Sequence, residues 1–195
     1  MLKKRYQEFL SQHSQQNVPL QVSEQEYNYV NQYSEMNATN LEVLEKPEKI
    51  LSPYVERVEK ETEETVKMMD ETFLQQDFSF LYRKKSEYVY IESKWFDVIA
   101  MESLSIEVDD VFNNIELMFG LRLQKKKMDE IKSFLTDQLS LEKGRLSVLF
   151  NGQDGLFDIN ISLETLPNYQ EEMSFSEILS ALYDLLFTLH VDLET

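Results

Sequence analysis

The ionisable side chains of this 195-residue chain are 36 carboxylates, 19 lysines and arginines, ten tyrosines and two imidazoles, with no thiol. Without cysteine there are no disulfides, no thiolate metal sites and no cysteine nucleophile. The histidines, His13 and His190, give poor support to a nucleophilic triad. His190 falls near the end of an apolar helical stretch, where an imidazolium suits the helix dipole, and it reads as structural. His13 lies in a Gln- and Ser-rich stretch and is expected to face water. The glycines at 120, 144, 152 and 155 spell neither a P-loop nor a dinucleotide fingerprint.

Carboxylates remain as the one source of site chemistry. Hard cations need only oxygen ligands, and two clusters offer them: Glu107, Asp109 and Asp110, and Asn151, Asp154 and Asp158. Neither follows the EF-hand spacing, so solvated turns or strand ends are the expected reading and no cofactor is expected. Carboxylate-pair hydrolysis needs two acids across a cleft, one of them with a raised pKa. The sequence nominates no such pair.

The acids outnumber the bases and leave a formal net charge of -17. Self-repulsion at that charge favours a soluble monomer at some cost in stability. Nucleic acid, which is bound through clustered Lys and Arg, is disfavoured, and so is an anionic membrane. The triplets Arg83-Lys84-Lys85 and Lys125-Lys126-Lys127 are local exceptions to the chain's overall field. No apolar run approaches a bilayer span. The basic start, Met1-Leu2-Lys3-Lys4-Arg5, has no apolar stretch after it, so the expected location is the cytoplasm.

The charge is unevenly placed. No Lys or Arg occurs from Tyr6 to Glu45, and none follows Arg145. The natural complement of such segments is a basic protein partner. The acids expected to meet it are Asp154, Asp158, Glu164, Glu171 and Glu172, together with Glu59, Glu61, Glu63 and Glu64.

These residues must be positioned by an α+β fold: a helical N-terminal part, then a small antiparallel sheet with helices packed on one face. The expected division is a mostly helical region over 1–76 and an α+β domain over 77–195, with one continuous domain as the alternative. Leu2, Tyr6, Phe9 and Leu10 make an apolar stripe at helical spacing. Ser23 and Glu26 form a capping-box pattern before a helix buried through Tyr27, Val30 and Tyr33. A helix is expected over 53–76, where Val55, Val58, Thr62, Thr65, Met69 and Phe73 recur every three or four residues.

Further along, Tyr88-Val89-Tyr90-Ile91 reads as a strand with Trp95 to Met101 as its hairpin partner, and Leu104, Ile106 and Val108 mark another strand. Residues 111–123 suit a helix or a strand. Lys125 to Ser140 reads as a helix, Arg145 to Glu164 as a hairpin turning at Asn151–Gly155, and Phe175 to Val191 as a helix capped by Ser174 and Glu177.

The function favoured by these features is a non-enzymatic, acidic protein-binding module: an inhibitor, immunity protein, chaperone or adaptor for a basic partner, with nucleic-acid mimicry as one variant. One alternative is a structural component that self-associates as a homodimer through the 53–76 helix. The other is a carboxylate enzyme using a divalent cation.

Overall fold

The structure, a computed structural model, describes residues 1–13, 18–33 and 40–194. Strands β1 (Leu20–Val22) and β2 (Leu41–Val43) form a short parallel pair. The main sheet is built from β3 (Tyr54–Glu59), β4 (Thr65–Met69), β5 (Glu87–Glu92), β6 (Met101–Val108), β7 (Ile115–Leu121), β8 (Leu146–Asn151) and β9 (Leu156–Ser162). Its seven strands run in the order β4-β3-β5-β6-β7-β9-β8, and every neighbouring pair is antiparallel.

Side chains alternate between the two faces of a strand, so the register sorts residues into rows across the sheet. One row reads Met69, Val55, Ile91, Leu104, Phe119, Ile159 and Val148, and all but Met69 are buried. The next row reads Met68, Glu56, Tyr90, Ser105, Met118, Asn160 and Ser147, and none of it is buried. This apolar-in, polar-out alternation suits a sheet covered on one face.

The helices supply the cover. They are α1 (Leu2–His13), α2 (Glu24–Asn31), α3 (Ser79–Arg83), α4 (Trp95–Val98), α5 (Met128–Gln138) and α6 (Phe175–Asp192). Helix α6 buries residues on nearly every side, from Phe175 to His190, as a helix enclosed in a core must. Helix α1 lays Tyr6 against Phe187 of α6 and Phe9 against Trp95 of α4. Ser23 with Glu26, and Ser174 with Glu177, form complete capping boxes at the starts of α2 and α6. Each N-cap contributes about 1 kcal/mol. Lys125–Lys127 make one 3-10 turn ahead of α5. Lys127 Nζ reaches Glu130 (2.5 Å) and the carbonyl of Leu193 beyond α6 (3.5 Å), where positive charge complements the helix dipole.

Three expectations require correction. Residues 53–76 contain no α-helix. They form the β3–β4 hairpin and a 3-10 turn at Glu71–Gln75. Val55, Val58, Thr65 and Val66 are β-branched and fit a pleated surface better than a helix. The hairpin joins the main sheet at β5, and the homodimer helix is therefore absent. Residues 95–101 are not a hairpin partner. Trp95–Val98 is a short helix, and β6 starts at Met101. In α2 the inward residues are Tyr29 and Val30, while Tyr27 is exposed. The stretch left open between helix and strand contains strand β7, with Gly120 on the outward row.

Candidate functional site

Chemistry-bearing side chains concentrate in three places. The first is enclosed. Lys49, in the loop between β2 and β3, sends its ammonium to Glu26 Oε2 at 2.6 Å, and both side chains are wholly shielded from water. Glu26 Oε1 accepts from Tyr6 Oη (3.1 Å) and Tyr183 Oη (2.9 Å), and Oε2 also accepts from the Ser23 N–H (2.7 Å). The ammonium lies 3.9 Å from the Trp95 ring centroid and 4.7 Å from that of Tyr183. Burial pushes the Lys49 pKa down against the opposing pull of Glu26. It also raises the carboxyl of neighbouring Asp184 to about 6, with Lys49 opposing and Glu26 adding. No reactant reaches this centre, and its geometry pins the 44–53 loop to the core. Ser180 Oγ donates to the Pro47 carbonyl and accepts from the Lys49 N–H.

The second place is the open face of the sheet. Tyr54 and Tyr90 pack edge to face with centroids 6.2 Å apart. Tyr54 Oη donates to Glu56 (3.1 Å), Thr65 Oγ1 donates to the same Glu56 oxygen (2.7 Å), and Tyr90 Oη donates to Glu92 (2.7 Å). Partial desolvation raises the hydroxyl pKa of Tyr88, and the charges of Glu63, Glu56 and Glu107 raise it further. The face therefore combines flat aromatic and thioether surface (Tyr54, Tyr90, Met68 and Met118) with a negative field. No helix among the described residues lies over it.

The third place is the sheet end where the β3–β4 turn and the β6–β7 turn meet. Lys60 Nζ holds the Val108 carbonyl (2.6 Å), Glu107 (3.5 Å) and Asp110 (3.7 Å). Arg145, ahead of β8, bridges Asp109 (3.1 Å) and Glu116 (3.2 Å) and covers the Phe112 ring at 3.7 Å. The Glu107, Asp109 and Asp110 cluster is thus bound up with cations of the chain itself. No group of three or more metal-ligating side chains converges anywhere among the described residues.

The nine acids expected to meet a partner are scattered by the fold. Glu59 ends β3, and Glu61, Glu63 and Glu64 sit on the exposed turn after it, with Glu63 at φ 56°. Asp154 lies at the opposite end of the sheet, in the β8–β9 turn, and accepts from Asn151 Nδ2 at 2.7 Å. A strand of six or seven residues separates the two ends by roughly 20 Å. Asp158 is exposed on the open face, opposite Gly120 and Leu149. Glu164 is half-buried and its carboxyl pKa is raised by desolvation. Together with exposed Glu171 and Glu172 it surrounds Tyr169, whose hydroxyl is raised to about 12, first by burial and then by these charges. One arrangement therefore does not gather all nine.

Sequence reasoning missed Glu56, Glu92 and the tyrosines beside them. The alternation of Tyr88-Val89-Tyr90-Ile91 carried the signal, because it places both tyrosines on the outer row. His13 differs from expectation, and His190 is structural as expected but uncharged. His13 is buried, donating Nδ1–H to the Phe9 carbonyl (2.8 Å) with its ring centroid 4.3 Å from that of Phe9. His190 is a neutral imidazole with its pKa lowered to about 3 by burial and by the adjacent Arg5 charge. Its Nε2–H donates to the Ile99 carbonyl (2.6 Å), and Nδ1 accepts from Arg5 (3.1 Å).

A surface groove of about 390 Å³ lies between α2 and the end of α6, lined by Glu24, Gln25, Asn28, Tyr29, Gln32 and Val191, and it brings no acid–base pair together. No helix among the described residues is long and apolar enough to cross a membrane. In comparison with known proteins, no family matches the chain, and neither the curated proteins nor the solved structures return a similar one.

Proposed function

We propose that this chain is a non-enzymatic protein-binding module that docks a basic protein partner on the open face of its sheet. The observation that carries the reading is the unburied row from Met68 through Glu56, Tyr90 and Met118 to Ser147, which crosses all seven strands with no helix above it among the described residues. Tyrosine offers contact area at small entropic cost, and methionine offers a polarizable side chain that adapts to a partner's shape. Glu56, Glu92 and Asp158 supply charge complementarity to lysine and arginine, which speeds encounter and selects the partner. The setting in this reading is the cytoplasm, with the module acting as inhibitor, immunity protein, chaperone or adaptor.

The test is capture of partners from the native lysate on immobilised protein, eluted with a salt gradient. Wild type and the E171K/E172K variant should hold one basic protein to moderate salt, and E56K/E92K should lose it. Binding indifferent both to salt and to reversal of the face charges would overturn the reading.

A further inference from the structure

The β6–β7 turn presents two consecutive large apolar residues to water. Val111 is 81% exposed and Phe112 is 61% exposed. Among the described residues no other adjacent pair of large hydrophobics is left out in this way. Exposed apolar surface of this kind marks an interaction site more often than a lone exposed leucine does.

The tip is also rigidly built. Asp109 Oδ1 accepts from the N–H groups of Val111 (2.8 Å) and Phe112 (2.7 Å). The Asp109 N–H donates to the Asn114 carbonyl and the Asn113 N–H to the Asp109 carbonyl, both at 2.8 Å. Lys85 Nζ fixes the Asn113 side chain at 2.5 Å. Arg145 covers one face of the Phe112 ring while paired to Asp109 and Glu116. An aromatic held in place before binding loses little freedom when it docks.

We propose that Val111 and Phe112 are an apolar plug that seats in an apolar pocket on the basic partner, with cations on the pocket rim meeting the acids around the plug. The proposal rests on the reading of the chain as a binder of a basic protein. Charge complementarity identifies the occupant. Lys60, Lys85 and Arg145 are already engaged within this end of the sheet, whereas Glu61, Glu63 and Glu64 are exposed and form no ion pair among the described residues. A second copy of this chain would bring the same negative charge to the contact.

The experiment places a photoreactive benzoylphenylalanine at position 112 in the native cell, with position 27, an exposed tyrosine on α2, as the control. The protein crosslinked from 112 is purified, and its binding to wild type, V111S/F112S, F112L and E56K/E92K is measured across salt concentrations. The expected result is a basic protein crosslinked at 112 and not at 27, through a peptide lining an apolar pocket. V111S/F112S should then bind roughly ten- to a hundredfold more weakly through faster dissociation. Its salt dependence should be unchanged, and F112L should retain most of the affinity. Reversal of Glu56 and Glu92 should instead slow association and flatten the salt dependence. No crosslink above the control, or unchanged affinity of V111S/F112S, overturns the plug. If E56K/E92K loses binding in that case, the reading of a basic partner survives without it. If both variants bind as wild type does, both fail.

Discussion

Lys49 and Glu26 are 23 residues apart in sequence and 2.6 Å apart between charged atoms, in a place water does not reach. Desolvating two charges costs several kcal/mol each, and their mutual attraction offsets this only when the remaining hydrogen bonds are also made. Here Tyr6, Tyr183 and the Ser23 amide complete the carboxylate, and the rings of Trp95 and Tyr183 flank the ammonium. Breaking the pair from one side should therefore be severe. K49M is expected to lower unfolding free energy by about 3–5 kcal/mol, read by urea titration, and E26L K49M should recover much of that loss. A double variant no more stable than K49M would show that the carboxylate works mainly through Tyr6 and Tyr183.

Two buried groups pull stability in opposite directions with pH. His190 has its pKa lowered to about 3, so below about 6.5 the unfolded chain takes up a proton that the folded chain refuses, and stability falls with pH. Asp184 has its pKa raised to about 6, so the folded chain takes up that proton first and its contribution improves as pH falls from about 6 to 3.8. Each slope is at most about 1.4 kcal/mol per pH unit, and the two largely cancel between pH 6 and 4. D184N should gain on wild type as pH rises through 6, and H190Q should lose less than wild type below pH 6. Urea midpoints measured from pH 4 to 8 check both.

Gly144, between α5 and β8, has no room for a side chain. A Cβ there would lie 2.5 Å from Ser162 Cβ and 2.8 Å from Thr165 Cγ2, and both of those residues are fully buried. G144A should cost about 1–3 kcal/mol of stability. At Gly152, where nothing lies within 4 Å, alanine should change stability by less than about 0.5 kcal/mol. Thermal melts of the two variants separate the cases.

Strand β4 is an edge strand exposed along nearly its whole length, with the sequence Thr-Val-Lys-Met-Met. Lys67 is its one charge, and the register shift opposite Arg57 and Val58 bends the pairing beside it. Both devices discourage a second chain from adding to the edge. K67V should produce concentration-dependent self-association in sedimentation velocity, increasing with salt. A K67V chain that stays monomeric at high concentration would assign the protection to the bulge.

Local chemistry is what made parts of this fold legible. The Arg145–Glu164 hairpin announces itself through Asn151, Gly152 and Gly155 between two alternating runs, and both capping boxes are four-residue signals. The β3–β4 hairpin carries neither mark. Its turn is Lys60-Glu61-Thr62-Glu63-Glu64, with a glutamate in the left-handed region where glycine or asparagine is usual. Val58, Thr62, Thr65 and Met69 meanwhile fall by chance at helical intervals. Trp95 reads as strand in the sequence because a short helix and a strand look alike over a few apolar residues. The expected acids that follow Arg145 are set apart by the lack of nearby cations along the chain, and that spacing says nothing of how the fold places them. Lys49, which belongs to an unremarkable Glu- and Pro-rich loop, is completed only by partners 23 and more residues away.

Arg5 and His190 meet although 185 residues separate them along the chain. Helix α1 therefore leaves the ribosome well before α6, one of the helices it packs against. Tyr6 has no Phe187 to pack on, and Arg5 no His190 to meet, until α6 has been made. At synthesis rates of about 5–20 residues per second, that interval is on the order of ten to forty seconds. During it the apolar stripe of an amphipathic helix must be kept from other chains, and a nascent polypeptide stalled before Phe175 is exposed to aggregation for as long as the stall lasts.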